Sequence, residues 1–145
     1  MKRELLSGLL FLSVISIFAQ DGASWSILHN KKEIFSATQE NEQKNIITVK
    51  LSDLKPNRNF IIAYSERKTV RGKNEWKRTI GIYNETDKEL LRKDTSAIKL
   101  PDTQLKKMLQ ENKTIKIYTW SIPKDPKEAA RVRIRRVHLC TIELK

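Results

Sequence analysis

Over most of this chain apolar side chains recur at every second position, and that period limits what the chain can fold into. A half-buried strand alternates its faces with period two, whereas a surface helix needs spacings of three and four. Trp25, Ile27 and His29 alternate with Ser26, Leu28 and Asn30. Asn30-Lys31 then reads as a tight turn into Glu33-Ile34-Phe35, the second arm of a hairpin. A polar loop from Thr38 to Asn45 follows, and Ile47, Val49 and Leu51 alternate with Thr48 and Lys50. Lys55-Pro56-Asn57 signals a turn. Phe60-Ile61-Ile62-Ala63-Tyr64 is apolar on both parities, which predicts a central strand covered on both faces.

Beyond a polar, basic stretch from Glu66 to Glu75, Trp76, Ile80 and Ile82 share one parity, interrupted by Arg78. Asn84-Glu85-Thr86-Asp87 is the next turn, and Leu90-Leu91 and Ala97 to Leu100 are shorter strand candidates. Thr114 to Trp120 alternates again, and a long final strand is expected from Arg131 to Leu144. One segment departs from period two. Leu105, Met108 and Leu109 follow Pro101-Asp102 at i, i+3 and i+4, which predicts a helix with Asp102 as its N-cap, ending near Asn112. It is long enough for a crossover and too short for a layer. Pro123 and Pro126 punctuate a connector, with one helical turn from Lys127 to Ala130.

Eight or nine short strands with one crossover helix define an all-β expectation, an antiparallel β-sandwich, with an open barrel as the alternative. Glycine occurs only 4 times, too rarely for a propeller or a glycine-kinked barrel. No internal repeat and no interior break divides the chain, so residues 20–145 read as one domain.

Residues 1–19 read as a signal peptide. Lys2 and Arg3 precede a mostly apolar run from Leu5 to Phe18, and Ala19 supplies a small residue for cleavage. The run falls short of the roughly 20 apolar residues of a membrane span. No cysteine follows it, which excludes a lipoprotein anchor. The leader takes two of the 29 basic and one of the 17 acidic side chains, leaving 27 against 16, a net +11. Such a charge selects anionic partners and says nothing of fold. For an exported protein these are lipopolysaccharide phosphates, acidic glycans or an acidic protein surface in the periplasm, at the outer membrane or outside the cell. Nucleic acid ranks low, because export removes it from the usual compartment.

Chemistry-bearing motifs are sparse. The two histidines are His29 and His138, and Cys140 is the single cysteine, so no intrachain disulfide forms. On an unbroken strand His138 and Cys140 share a face, which admits a thiol or hydrolytic dyad as an alternative to a non-catalytic binding domain. Val132, Ile134, Ile142 and Leu144 share that parity, however, and favour Cys140 as a small core residue. No metal-ligand spacing and no glycine-rich phosphate loop is present, and no cofactor is expected.

Two basic clusters stand out. Arg131, Arg133, Arg135 and Arg136 are four of the ten arginines in the chain. On a regular strand the first three project together at intervals of about 6.6 Å, a comb suited to carboxylates or phosphates. Arg136 has the opposite parity, which turns it inward or places a β-bulge near Arg135-Arg136. The second cluster is Arg67, Lys68, Arg71 and Lys73 with Lys77, Arg78 and Trp76. An aromatic among cations recognises a headgroup, a sugar or a base when exposed, and is a core residue when not. Trp25 and Trp120, inside alternating strands, are expected in the core.

The ending Ile17-Phe18-Ala19-Gln20 resembles signal peptides of the Bacteroidota, in which the glutamine begins the mature chain. The chain as a whole resembles small exported β-sandwich proteins of that group. The resemblance implies fold and compartment and carries no site residues. It leaves two forms of the binding reading, an accessory domain at the envelope and a subunit of an outer-membrane transport or secretion assembly.

Overall fold

A computed structural model describes residues 22–66 and 76–145. The leader and Arg67, Lys68, Arg71 and Lys73 of the second basic cluster lie outside these residues. No helix among the described residues is long and apolar enough to cross a membrane.

Among the described residues, nine strands form two packed sheets. The strands are β1 (Ser24–His29), β2 (Lys32–Ala37), β3 (Ile46–Val49), β4 (Asn59–Ser65), β5 (Trp76–Asn84), β6 (Glu89–Lys93), β7 (Ala97–Pro101), β8 (Thr114–Pro123) and β9 (Val137–Leu144). One sheet has the order β2-β1-β4-β7 and the other β3-β9-β8-β5-β6. All pairs are antiparallel except β3 with β9, which run parallel. The sandwich read from periodicity is therefore correct, with one mixed sheet. Helix α1 (Asp102–Asn112) carries the chain from β7 in the first sheet to β8 in the second, as the crossover reading required.

The turns follow from local chemistry. Asn30 and Lys31 both adopt positive φ, 50° and 68°, the two-residue geometry that matches the twist of a hairpin. After β1 residue Ile27 the ladder with β2 slips by one, so Ile34 bulges out and is 41% exposed. Asn84 closes the β5–β6 turn by accepting hydrogen bonds from the backbone N–H groups of Thr86 and Lys88. Leu51 belongs to a short 3-10 turn, Leu51–Asp53, and not to β3.

The core lies between the sheets. Trp25, Ile27, Phe60, Ile62, Ile98 and Leu100 meet Ile80, Ile82, Ile115, Ile117, Leu139 and Ile142, all nearly or fully buried. Leu105, Met108 and Leu109 of α1 join them, the stripe visible in the sequence. Each such side chain contributes about 1.5–3 kcal/mol relative to exposure. β4 departs from expectation: Phe60 and Ile62 are buried, but Ile61 and Ala63 stay half-exposed on an outer face. It is central in its sheet and covered on one side only. Asp102 is not the N-cap either. Pro101 holds that position, and the Asp102 carboxylate, buried, receives His29 Nε2 at 2.9 and 3.1 Å and the N–H of Lys55 at 3.0 Å. The His29 ring stacks on Phe60 at 4.2 Å.

The largest correction concerns the last strand. It begins at Val137, not at Arg131. Pro123 ends β8, and Asp125 caps a four-residue helix, α2 (Pro126–Ala129), by accepting from Lys127 N at 2.9 Å. The chain then returns without entering the ladder, whose last rung is Thr119 with Val137. Residues 132–136 make no backbone hydrogen bond with the described residues. With no strand there, the alternating arginine comb has no basis.

Candidate functional site

The connector 130–136 enters β9 along the outer face of the five-stranded sheet, and that face fixes it. Lys116, Tyr118 and Trp120 of β8 point outward, beside Thr79, Gly81 and Tyr83 of β5. The rings of Trp120 and Tyr83 converge over Gly81, where a Cβ would stand 2.7 Å from Trp120 and 2.8 Å from Tyr83. The glycine thus makes room for a second apolar layer outside the sandwich. Trp120 is 4% exposed, yet it packs in this layer and not between the sheets as expected. Arg92 lies over its ring at 5.3 Å.

Arg136 closes the other end of the layer. Its guanidinium lies 4.8 Å from the Tyr83 ring and 4.7 Å from the Tyr118 ring. It donates two parallel hydrogen bonds to Asp87, at 2.9 and 3.1 Å. It is neither inward nor at a bulge, but it is the most firmly held of the four arginines. Desolvation by these neighbours pushes the Tyr118 phenol above its ordinary pKa.

The bulge lies further on. Ile117 faces Cys140 and Tyr118 faces His138, so Leu139 is the extra residue. Its carbonyl accepts from Trp25 Nε1 of the opposite sheet at 2.8 Å. The bulge puts Cys140 in the core with Ile117 and His138 on the outer side with Tyr118. The dyad that an unbroken strand would allow is taken apart. Burial pushes the Cys140 thiol well above its usual range, away from the thiolate a nucleophile needs. Burial likewise lowers the pKa of His138, whose Nε2 lies 2.9 Å from Thr141 Oγ1 and whose Nδ1 has no partner among the described residues.

Glu40, from the β2–β3 loop, holds the start of β9. One carboxylate oxygen accepts the His138 backbone N–H at 2.8 Å, and the other accepts Arg135 at 2.5 Å. Arg133, Ile134, Arg135 and Arg136 then border an open depression of about 670 Å³ with Tyr118, Glu40 and Glu42. Four of these charges are already matched: Glu40 with Arg135, Arg136 with Asp87, and Glu42, which lies 3.7 Å from Lys116. Arg131 and Arg133 are exposed, and their guanidinium groups have no ion pair or hydrogen bond among the described residues. Val132 and Ile134, between and beside them, are 38% and 43% exposed.

Of the second cluster, Trp76 is 41% exposed at the start of β5, not in the core. Arg78 pairs with Glu66 and covers the Tyr64 ring at 4.4 Å, and Lys77 pairs with Asp94 at 3.0 Å. Trp76 and Pro123 are paired, so Trp76 sits at the end of the sheet where β8 gives way to the arginine connector.

The sequence reading missed Glu40, Asp87, Tyr83 and Tyr118 as the residues that fix the connector. The two aromatics of β8 carry a signal: Tyr118 and Trp120 share the parity of Lys116, opposite to Ile115 and Ile117. Nothing local marks Glu40 or Asp87, which meet their arginines across 95 and 49 residues of chain. No protein-family model, no curated protein and no solved structure matches the chain.

Proposed function

We propose that this is an exported, non-catalytic binding domain that presents the 130–136 connector to an anionic partner at the cell envelope. A single observation carries the reading. Arg135 and Arg136 have carboxylate partners within the fold, whereas Arg131 and Arg133, beside them, are exposed without any among the described residues. Free guanidinium groups suit bidentate recognition of a carboxylate or phosphate.

The test is capture from an envelope fraction by the protein and by its Arg131→Gln/Arg133→Gln variant. The variant is expected to lose the captured partner and flatten the salt dependence, with the melting temperature unchanged. Equal capture by both proteins at every salt concentration rejects the reading.

One observation favours the second form of the same class, a subunit of a larger assembly. The edges β2 and β3 flank an open mouth between the sheets, and Ile34 and Ile46 are 41% and 38% exposed there. Partner chains in an assembly cover such edges.

A further inference from the structure

We infer that the anionic partner is an extended acidic polypeptide segment, which lies along residues 131–136 and is read through main chain and arginine together. The inference rests on the binding reading above and narrows it to one class of ligand. Three features of the connector point the same way.

First, the fold holds its own sample of the interaction. Glu40 places one oxygen on a main-chain N–H, that of His138, and the other on the Arg135 guanidinium. Both kinds of donor continue upstream. The main chain of residues 132–136 makes no backbone hydrogen bond with the described residues, and Arg131 and Arg133 hold no carboxylate among them.

Second, a polypeptide answers unpaired main-chain groups on both sides, with its own N–H and C=O groups, as added strands do. A phosphate supplies acceptors alone and leaves the connector's carbonyls to water, and the hydroxyls of a sugar acid donate without the alternating N–H and C=O spacing of a main chain. Third, the connector alternates Arg131, Val132, Arg133 and Ile134, and both aliphatic side chains are exposed. A segment that alternates acidic and apolar residues matches both sets, while an acidic glycan offers the aliphatic ones no apolar side chain. Arg135-Glu40 and Arg136-Asp87, with the two tyrosine rings, hold the downstream end in place before any partner arrives.

The experiment titrates the chain 20–145 with the blocked hexapeptide Ac-Glu-Val-Glu-Val-Glu-Val-NH2 and follows backbone amide resonances. Comparators are the block peptide Ac-Glu-Glu-Glu-Val-Val-Val-NH2, the alternating peptide N-methylated at its valines, inorganic tripolyphosphate, and phosphatidylglycerol vesicles. Saturable shifts are expected at residues 131–137 with the alternating peptide. Binding should weaken about tenfold or more with Arg131→Gln/Arg133→Gln, since charge-assisted bonds are lost, and should also weaken with N-methylation. Val132→Ser/Ile134→Ser should weaken the peptide and leave tripolyphosphate unchanged.

Equal binding of the alternating, block and N-methylated peptides shows that charge alone is read. That overturns the inference and leaves the anionic-partner reading standing. Arginine-dependent binding of vesicles or tripolyphosphate without the peptide does the same, assigning the site to phosphate groups. If no anion binds in an arginine-dependent way while thermal melting shows the variants folded, both fall.

Discussion

The two sheets turn very different outer faces to their surroundings. On the four-stranded sheet the outward positions at one end are Ser24, Ser26, Ser36, Ala63 and Ser65, small side chains that leave that end nearly bare, with Leu28 and Ile61 beyond them. On the five-stranded sheet they include Tyr83, Tyr118, Trp120, His138 and Arg92, which stack with Arg136 of the connector into an additional layer. Both faces obey the same period of two. The difference lies in side-chain size and in the arginines that cap the rings, because a guanidinium covers an aromatic face while keeping its charge near water. The layered face is also the one that holds the connector. A bare sheet has nothing with which to fix an irregular segment against it.

If the aromatic layer behaves as a core, Trp120→Ala should destabilise the protein by about 3–5 kcal/mol, as a buried tryptophan does. Urea unfolding measures this, and a loss below about 1 kcal/mol would demote the layer to a surface ornament. Gly81→Ala probes the same layer from below. The added Cβ meets two rings under 3.0 Å, and overpacking of this kind costs about 1–3 kcal/mol. A variant as stable as the parent would show that the rings move aside freely.

Acid should weaken this face through His138, which packs against Tyr118 and Thr141 with Glu40, Glu42 and Lys116 around it. Its folded pKa is lowered by burial, so the unfolded chain binds the proton more readily. The stability this histidine allows is complete above the unfolded value, about 6.5. It is lost as pH falls below that, with a slope of up to about 1.4 kcal/mol per pH unit for one proton. Stability measured from pH 7.5 to 5 in the parent and in His138→Phe checks it, and equal slopes would reject the assignment.

Arg136→Gln removes one ion pair and two ring contacts at a partly exposed site, worth about 1 kcal/mol together. Backbone NMR order parameters at residues 132–136 should fall in this variant, which separates a role in holding the connector from one in binding. The smallest effect belongs to the bare face: Ser26→Ala should stay within about 0.5 kcal/mol. A larger change there would mean that the two faces differ less than their side chains suggest.

The strands, the α1 crossover and the inward residues of each strand were readable because period and turn chemistry are local. Asn30-Lys31 and Lys55-Pro56-Asn57 punctuate the chain as expected. Leu105, Met108 and Leu109 stay on one side of α1 whatever surrounds it. The candidate site was legible as a concentration of arginines and misread as a strand. Alternating Arg and aliphatic residues satisfy the strand pattern, but a strand needs a neighbour to pair with. Past Thr119, β8 has none on that side among the described residues.

What the sequence alone determined is therefore the all-β architecture, the helix between the sheets and the excess of positive charge. Tertiary structure decided the rest. Leu139 bulges, so His138 and Cys140 part to opposite faces. Glu40 and Asp87, distant in sequence, take Arg135 and Arg136 as partners, while Arg131 and Arg133 have none among the described residues. The reason is physical. Alternation is a property of one strand's backbone, but a side chain's counter-ion and a strand's last rung depend on which other segments arrive beside them, and no local pattern encodes that.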